Sequence, residues 1–469
     1  GNAVYGAYAT GSGRDNLVNG DGAVLGGGSL NSAVGDNAFV GGGYTNTASG
    51  GNATVLGGLA GVASNDKSVV GGGRNNLASG KKAVVVGGEQ NTASGRNSAV
   101  GGGWLVKVLA DFSHGAGYLN MIKGDSSCVA GGQQQTAPHD FSSILGGKGG
   151  ITDGSRCVIG GGFQNRMTDS SGATILGGNT MQMSGARFAS VTGGAANTIK
   201  GNATVLSGFQ QNVDGDYTTM MGGWSNRLTA YGAVVAGGTA NINQAESSVI
   251  GGGSGNNLVG SILGIGGGHS NRAQQDESNI VGGYNNDVDA DEAFIGGGVN
   301  NVITTTGSAI LGGFGNFLQN EYGALGGGSH NIVSEDEAVV LGGLYNVASG
   351  RFSVVGGGKE NEAAEQYTVV AGGWGNYIDT QYSAVAGGAK LVVSGYAATL
   401  GGGDANAIYG DYATILGGYA NNVDSDYSGI GGGMSNLVSA DSSTITGGAS
   451  NSIYAVTGAI TGGYANTVD

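Results

Sequence analysis

The run Gly403-Asp404-Ala405-Asn406-Ala407-Ile408-Tyr409-Gly410-Asp411-Tyr412-Ala413-Thr414-Ile415-Leu416-Gly417-Gly418 holds one cycle of a pattern that fills the chain. With the opening glycine as position 0, Asn stands at position 3 and an aliphatic residue at 5. A Gly-Asp-Tyr turn follows at 7 to 9, Ala or Ser at 10, a branched apolar residue at 12, and a Gly pair closes the cycle at 14 and 15. The same glycine recurs every 15 residues from Gly28 through Gly43, Gly58, Gly73 and Gly88 to Gly103. It resumes at Gly132, Gly147 and Gly162, then runs from Gly208 to Gly463. Weaker marks at Gly13 and Gly117 complete 31 registers. The irregular steps of 14, 16, 16 and 14 cancel, so the phase is recovered.

Position 3 is Asn in 24 of the 31 registers. The unbroken part of this row is Asn226, Asn241, Asn256, Asn271, Asn286, Asn301, Asn316, Asn331, Asn346, Asn361 and Asn376, continuing at Asn406, Asn421, Asn436, Asn451 and Asn466. Alternation of small, variable and branched apolar residues is the period-2 signature of short strands. A 15-residue strand–turn–strand–corner unit buries nothing alone and is stable only by stacking on its neighbours. The reading is therefore an all-β parallel β-solenoid of about 31 fifteen-residue coils, one continuous array over 1–469 with an irregular stretch at 104–215. Coils stacked at ~4.8 Å would make a rod on the order of 150 Å long. Positions 5 and 12 would become apolar ladders, and position 3 an amide ladder at a corner that tolerates the left-handed conformation. The Gly pair either permits positive φ at that corner or lets another backbone, including a neighbouring chain, approach closely.

Composition supports a packed repeat. Gly supplies 104 of 469 residues and Pro138 is the single proline, which excludes collagen. A hydrophobic share of 39% is too high for ordinary disorder. The net charge is −15 and no basic run exceeds Lys81-Lys82, so no nucleic-acid partner is expected. The negative field also repels anionic lipid, and no apolar stretch is long enough to span a bilayer, so no membrane contact is expected within this segment. Cys128 and Cys157 make no disulfide framework. Nearly two coils separate them, beyond disulfide reach, and both read as small buried hydrophobes. The chain opens with Gly1 and neither end shows a polar capping module, so it reads as an excised segment of a longer fibre or one whose ends stack on further subunits.

The units Asn46-Thr47-Ala48-Ser49-Gly50 and Asn346-Val347-Ala348-Ser349-Gly350, each leading into a branched residue and a Gly run, resemble the head repeats of YadA-like trimeric autotransporter adhesins. Similar Gly-rich repeats occur in phage and virus tail fibres. The resemblance covers essentially the whole chain and implies a left-handed parallel β-roll, three chains wound about one axis, and attachment to surfaces, matrix or cells. It brings no catalytic residue. A neck motif, a heptad stalk and a C-terminal membrane barrel are missing from this sequence. A second arrangement stays open, in which one chain forms a triangular coil with positions 5, 10 and 15 inward. Such a core of Ala and Gly would be thin at ~25 cal/mol per Å², and three chains packing together would add burial.

Candidate sites are few. The run Trp104-Leu105-Val106-Lys107-Val108-Leu109 replaces a polar turn. It reads as a bulge exposing Trp104 and Phe112 to a receptor or, more in keeping with a repeat, as a repacked coil that buries them. Aromatics recur at position 1 (Trp224, Trp374, Tyr419) and position 9 (Tyr217, Tyr367, Tyr412), where they would stack on a glycan or cover a seam between chains. The acidic runs Asp287–Glu292 and Glu335–Glu337 lack calcium-loop spacing and read as solvated turns. His114, His139, His269 and His330 share no metal-ligand spacing, and no metal or cofactor is expected. Tailspike enzymes also use β-helices, but no carboxylate pair stands out here, so no enzyme is expected. The expected function is an extracellular or virion-surface structural and adhesive fibre, homotrimeric and able to stack end to end, binding a surface receptor or glycan. The alternative is a phage or virus tail fibre or tailspike that binds, and less readily cleaves, a host polysaccharide.

Overall fold

A computed structural model describes residues 1–469 and divides them into two compact units, Gly1–Gly237 and Gly238–Asp469. Both are built from the same coil, and the protein is an all-β parallel β-solenoid of about 31 turns of about 15 residues. Each coil contributes two short strands. In the first unit these are represented by Thr47–Ala48 at positions 4 and 5 and Thr54–Val55 at positions 11 and 12. Each pairs in parallel with its counterpart fifteen residues on, Ala48 with Ala63 and Val55 with Val70. The second unit repeats this, with Ala348 paired to Ala363 and Val355 to Val370. Two sheets result in each unit, a first built from positions 4–5 and a second from positions 11–12. A third line of single parallel bridges runs through position 1, as in Tyr44 to Leu59 and Trp374 to Ala389.

Positions 3, 5, 10 and 12 point inward: Asn46, Ala48, Ala53 and Val55 are fully buried, and so are Asn346, Ala348, Ser353 and Val355. Of the inward set 5, 10 and 15 that a triangular coil would use, positions 5 and 10 point inward and position 15 does not. Position 12 is a core position and position 15 is a corner, because the strand alternates 10-in, 11-out, 12-in before the chain turns. The ladders expected at positions 5 and 12 are present, carried by Ile303, Leu318 and Val333 in one row and Ile295, Ile310 and Leu325 in the other.

Besides the corner glycine of position 0, two residues per coil have positive φ, and they are not the asparagines of position 3. They stand at positions 2 and 9, for example Thr45 (φ 57°) and Asn52 (φ 57°). The cause lies in the hydrogen bonding between coils. Most N–H groups donate to the following coil, as Thr47 does to the Gly61 carbonyl (2.8 Å) and Thr54 to Ser68 (2.9 Å). At positions 2 and 9 the peptide reverses, so Thr45 donates back to Ser29 (3.1 Å) and Asn52 back to Asp36 (2.7 Å). Side chains as poorly suited as Tyr412 (φ 56°), Lys82 (φ 60°) and Ile262 (φ 58°) accept this geometry, which costs roughly 1–2 kcal/mol per residue in isolation.

The irregular stretch keeps register by absorbing length changes at opposite ends of the coil. A residue is lost at the Gly corner, where the ladder of Ala99–Trp104 against His114–Tyr118 shifts between Val100 and Gly102. Extra residues enter the turn after position 6, where Arg166–Thr168 and Gln182–Ser184 lengthen to three residues and Ser171 bridges Arg187.

Candidate binding surfaces

The position 3 asparagines form a buried staple. Asn361 donates its N–H to Asn346 Oδ1 (3.0 Å), and its Nδ2 donates to the same oxygen (3.1 Å). That Nδ2 also donates to the Gly357 carbonyl of its own corner (2.9 Å) and the Gly373 carbonyl of the next (2.9 Å). One amide thus ties together three successive coils. From Asn256 to Asn376, and from Asn406 to Asn451, each asparagine is buried and bonded to both glycine corners. Asn226 and Asn241 are buried in the same row, and Asn466 is bonded at a more exposed corner. Gln135 and Gln211 substitute for Asn, their Oε1 atoms accepting from Gly150 (2.7 Å) and Asn226 (2.9 Å). The closing glycine is fixed by this staple. Gly343 has φ 95°, and a Cβ there would press into both the Gly358 carbonyl and Asn346 Nδ2. The corner reading of that glycine holds, and the backbone that approaches it is the next coil of the same chain. The other member of the pair differs, since a Cβ on Gly57, Gly72 or Gly87 would meet nothing within 4 Å.

A second row was not recognised in the sequence. At position 8, Asp carboxylates accept the N–H of the coil before. Tyr396 donates to Asp411 Oδ1 (2.8 Å), Asp411 to Asp426 (2.9 Å) and Asp426 to Asp441 (3.1 Å). The Gly-Asp-Tyr turn motif was its visible trace. The Asp287–Glu292 run joins this pattern at Asp291, which accepts from Asp276 (2.9 Å). Burial pushes the Asp287 carboxyl above the usual carboxylate range, against the opposing pull of Arg272 and a bond from Gln274. No group of three or more His, Cys, Asp or Glu is placed to hold a metal ion.

The aromatic residues of position 9 stack on one another. Phe352, Tyr367 and Tyr382 have centroids 5.0 Å apart, nearly parallel. Ala397 would interrupt the row, and Tyr396 at position 8 fills the gap, meeting Tyr382 at 5.4 Å and Tyr412 at 5.6 Å before Tyr412 stacks on Tyr427 at 5.1 Å. The ring faces inside this row are spent on each other, which leaves edges for any partner. At positions 1 and 2, Trp374 lies under Lys390 (5.0 Å) and donates its indole N–H to Glu360 (2.9 Å). That bond, with one from Lys359, holds the Glu360 carboxyl below its usual range. Trp224 donates to Gln210 Oε1 (2.7 Å) and remains exposed.

Trp104 and Phe112 are not buried, contrary to the repacked-coil expectation. Trp104 keeps register with Glu89, stacks on Tyr118 at 4.8 Å and is half-buried. Phe112 is half exposed at position 9 under the Arg96 guanidinium (5.0 Å). The buried residues of that run are Val106 and Val108, at positions 3 and 5. Cys157 is buried at position 10, whereas Cys128 sits at position 11 and is only half-buried, so just one of the two is a core residue; both are free thiols. No protein-family model and no curated protein matches the chain. The coils offer rows of side chains at one-coil spacing, and these rows are the candidate surface.

Proposed function

We propose that the protein is a structural and adhesive fibre component, displayed outside the cell or on a virion, whose copies associate as a homotrimer. The observation that carries this reading is the repetition of the surface itself. The carboxylate row at position 8 and the ring row at position 9 each recur through runs of successive coils, and no group of three or more His, Cys, Asp or Glu is placed to hold a metal ion. A surface of this kind binds by many weak, equivalent contacts that add through effective concentration. The resemblance of the Asn-x-Ala-Ser-Gly units to adhesin head repeats supports the same reading. Ligands in keeping with it are surface receptors and glycans that themselves repeat.

The test is the dependence of binding on ligand density. The full chain is passed over matrix proteins and polysaccharides immobilised at graded densities. Multivalent attachment requires apparent affinity to climb steeply with density. A density-independent dissociation constant with one-to-one stoichiometry would replace the fibre reading with a single-site binder.

A further inference from the structure

The outer face of the second sheet differs from every other surface of the coil. Its side chains come from positions 11 and 13, and in no coil is either position Asp, Glu, Lys or Arg, although the chain holds 18 basic and 33 acidic residues. The outer face of the first sheet, by contrast, carries Lys107, Arg166, Arg272 and Asp287 at position 4. On the second sheet, Leu311, Leu341 and Leu416 are 64%, 60% and 66% exposed.

The face is uneven as well as uncharged: Phe39, Phe294, Leu311, Leu341 and Leu416 stand out from it, and coils such as Gly264–Gly266 and Gly429–Gly431, with no side chain at either position, leave apolar grooves between them.

We propose that the outer face of the second sheet is the self-association surface, turned toward the trimer axis and covered there by the same face of the other copies of this chain. Four residues, positions 11 to 14, span about 13 Å at ~3.3 Å each. Fifteen coils at ~4.8 Å therefore offer roughly 900 Å² per unit, against the ~800 Å² per partner of a standard interface. Charge points the same way. Two copies that each carry −15 repel through their charged faces, and this face alone brings no like charges together. The glycines of position 14, beside open space in one chain, let the two backbones approach.

That copies associate belongs to the reading above; the face they use is new. The test is the mass of the full chain by sedimentation over a wide concentration range, which involves no adhesion ligand and so fails independently of surface binding. Wild type should give a discrete species of more than one chain. Leu311→Lys/Leu341→Lys, at sites without core contacts, should shift it to one-chain mass with an unchanged circular dichroism spectrum. Ile332→Lys on the first sheet should leave the mass unaltered. A second readout on wild type alone guards against misfolded variants: Cys128, at position 11 of this face, should react with a bulky maleimide at least tenfold more slowly in concentrated than in dilute protein. One-chain mass at all concentrations, equal Cys128 rates, or an assembly lost only on Ile332→Lys would overturn the proposal. So would a mass that climbs without plateau and ignores the lysines, which would mark stacking through the ends.

Discussion

Gly61→Asn should strengthen the array where its staple is broken. Gly61 occupies position 3 and keeps the bond to the coil before, its N–H donating to Asn46 Oδ1 (2.8 Å). It has no side chain to receive the N–H of Asn76 in the coil after, whereas intact coils make that bond, as Asn46 does to Asn31 (2.9 Å). The same vacancy recurs above Val106, Gly150, Met181 and Leu391, where the N–H of Asn120, Asn165, Asn197 and Asn406 has no acceptor. An asparagine at 61 would offer Oδ1 to Asn76, and its Nδ2 to the Gly57 and Gly73 carbonyls, the counterparts of the Gly42 (2.8 Å) and Gly58 (2.9 Å) acceptors of Asn46. A Cβ at 61 would lie 3.2 Å from both Asn46 Oδ1 and Val70 Cγ1, contacts that yield with a shift of a few tenths of an ångström. Three bonds at about 1 kcal/mol each, with about 0.5–1 kcal/mol for removing a glycine from an extended segment, give roughly 3.5–4 kcal/mol. In a stacked array that gain is local, so the assay is native-state hydrogen exchange at the Asn76 amide. It should slow by several hundredfold, on the order of 2.5–3 decades at 1.4 kcal/mol per decade. Exchange that is unchanged or faster, with the spectrum of the fold retained, would refute the staple as a source of stability.

Thr152→Val should raise the unfolding midpoint, because Thr152 is fully buried at position 5 and its hydroxyl has no partner; removal of an unsatisfied buried group relieves about 1–3 kcal/mol. Ile262→Gly should stabilise by about 1–2 kcal/mol in denaturant titration, since a β-branched residue holds φ 58° there. Asp287 sets a pH dependence. Its folded carboxyl is raised mainly by burial, so the folded state binds the proton more tightly, and stability from this group grows as pH falls through the raised value. Asp287→Asn should therefore be at least as stable as wild type near neutral pH and lose that increment under acid; a variant that gains the same increment in acid would place the dependence elsewhere. Incubation with surface polysaccharides should release no reducing ends, and any release would point to a tailspike chemistry.

The repeat and its core were legible because stacking multiplies each preference many times. An aliphatic residue at position 5 or 12 is weak evidence once and strong evidence down a whole row, and the same holds for Asn at position 3. What escaped had no such consistency of residue type. Tyr, Lys, Ile and Ala all occupy the left-handed site at position 9, because a hydrogen bond to the preceding coil overrides intrinsic preference there. The carboxylate row was hidden for a related reason. Asp411 and Asp426 are read as turn residues until the coil before is placed beneath them. Between the two readings of Trp104 and Phe112, their apolar neighbours favoured burial, whereas parity along the strand puts Val106 and Val108 inside instead.

Shortening falls at the glycine corner and lengthening at the opposite turn, and neither touches the inward positions 3, 5, 10 and 12 between them. Copying errors of a single codon are thus confined to sites where the cross-section is unaffected. A gene assembled by tandem duplication can accordingly drift in local length, as it does between Gly103 and Gly208, and return to frame without a fault in the wall.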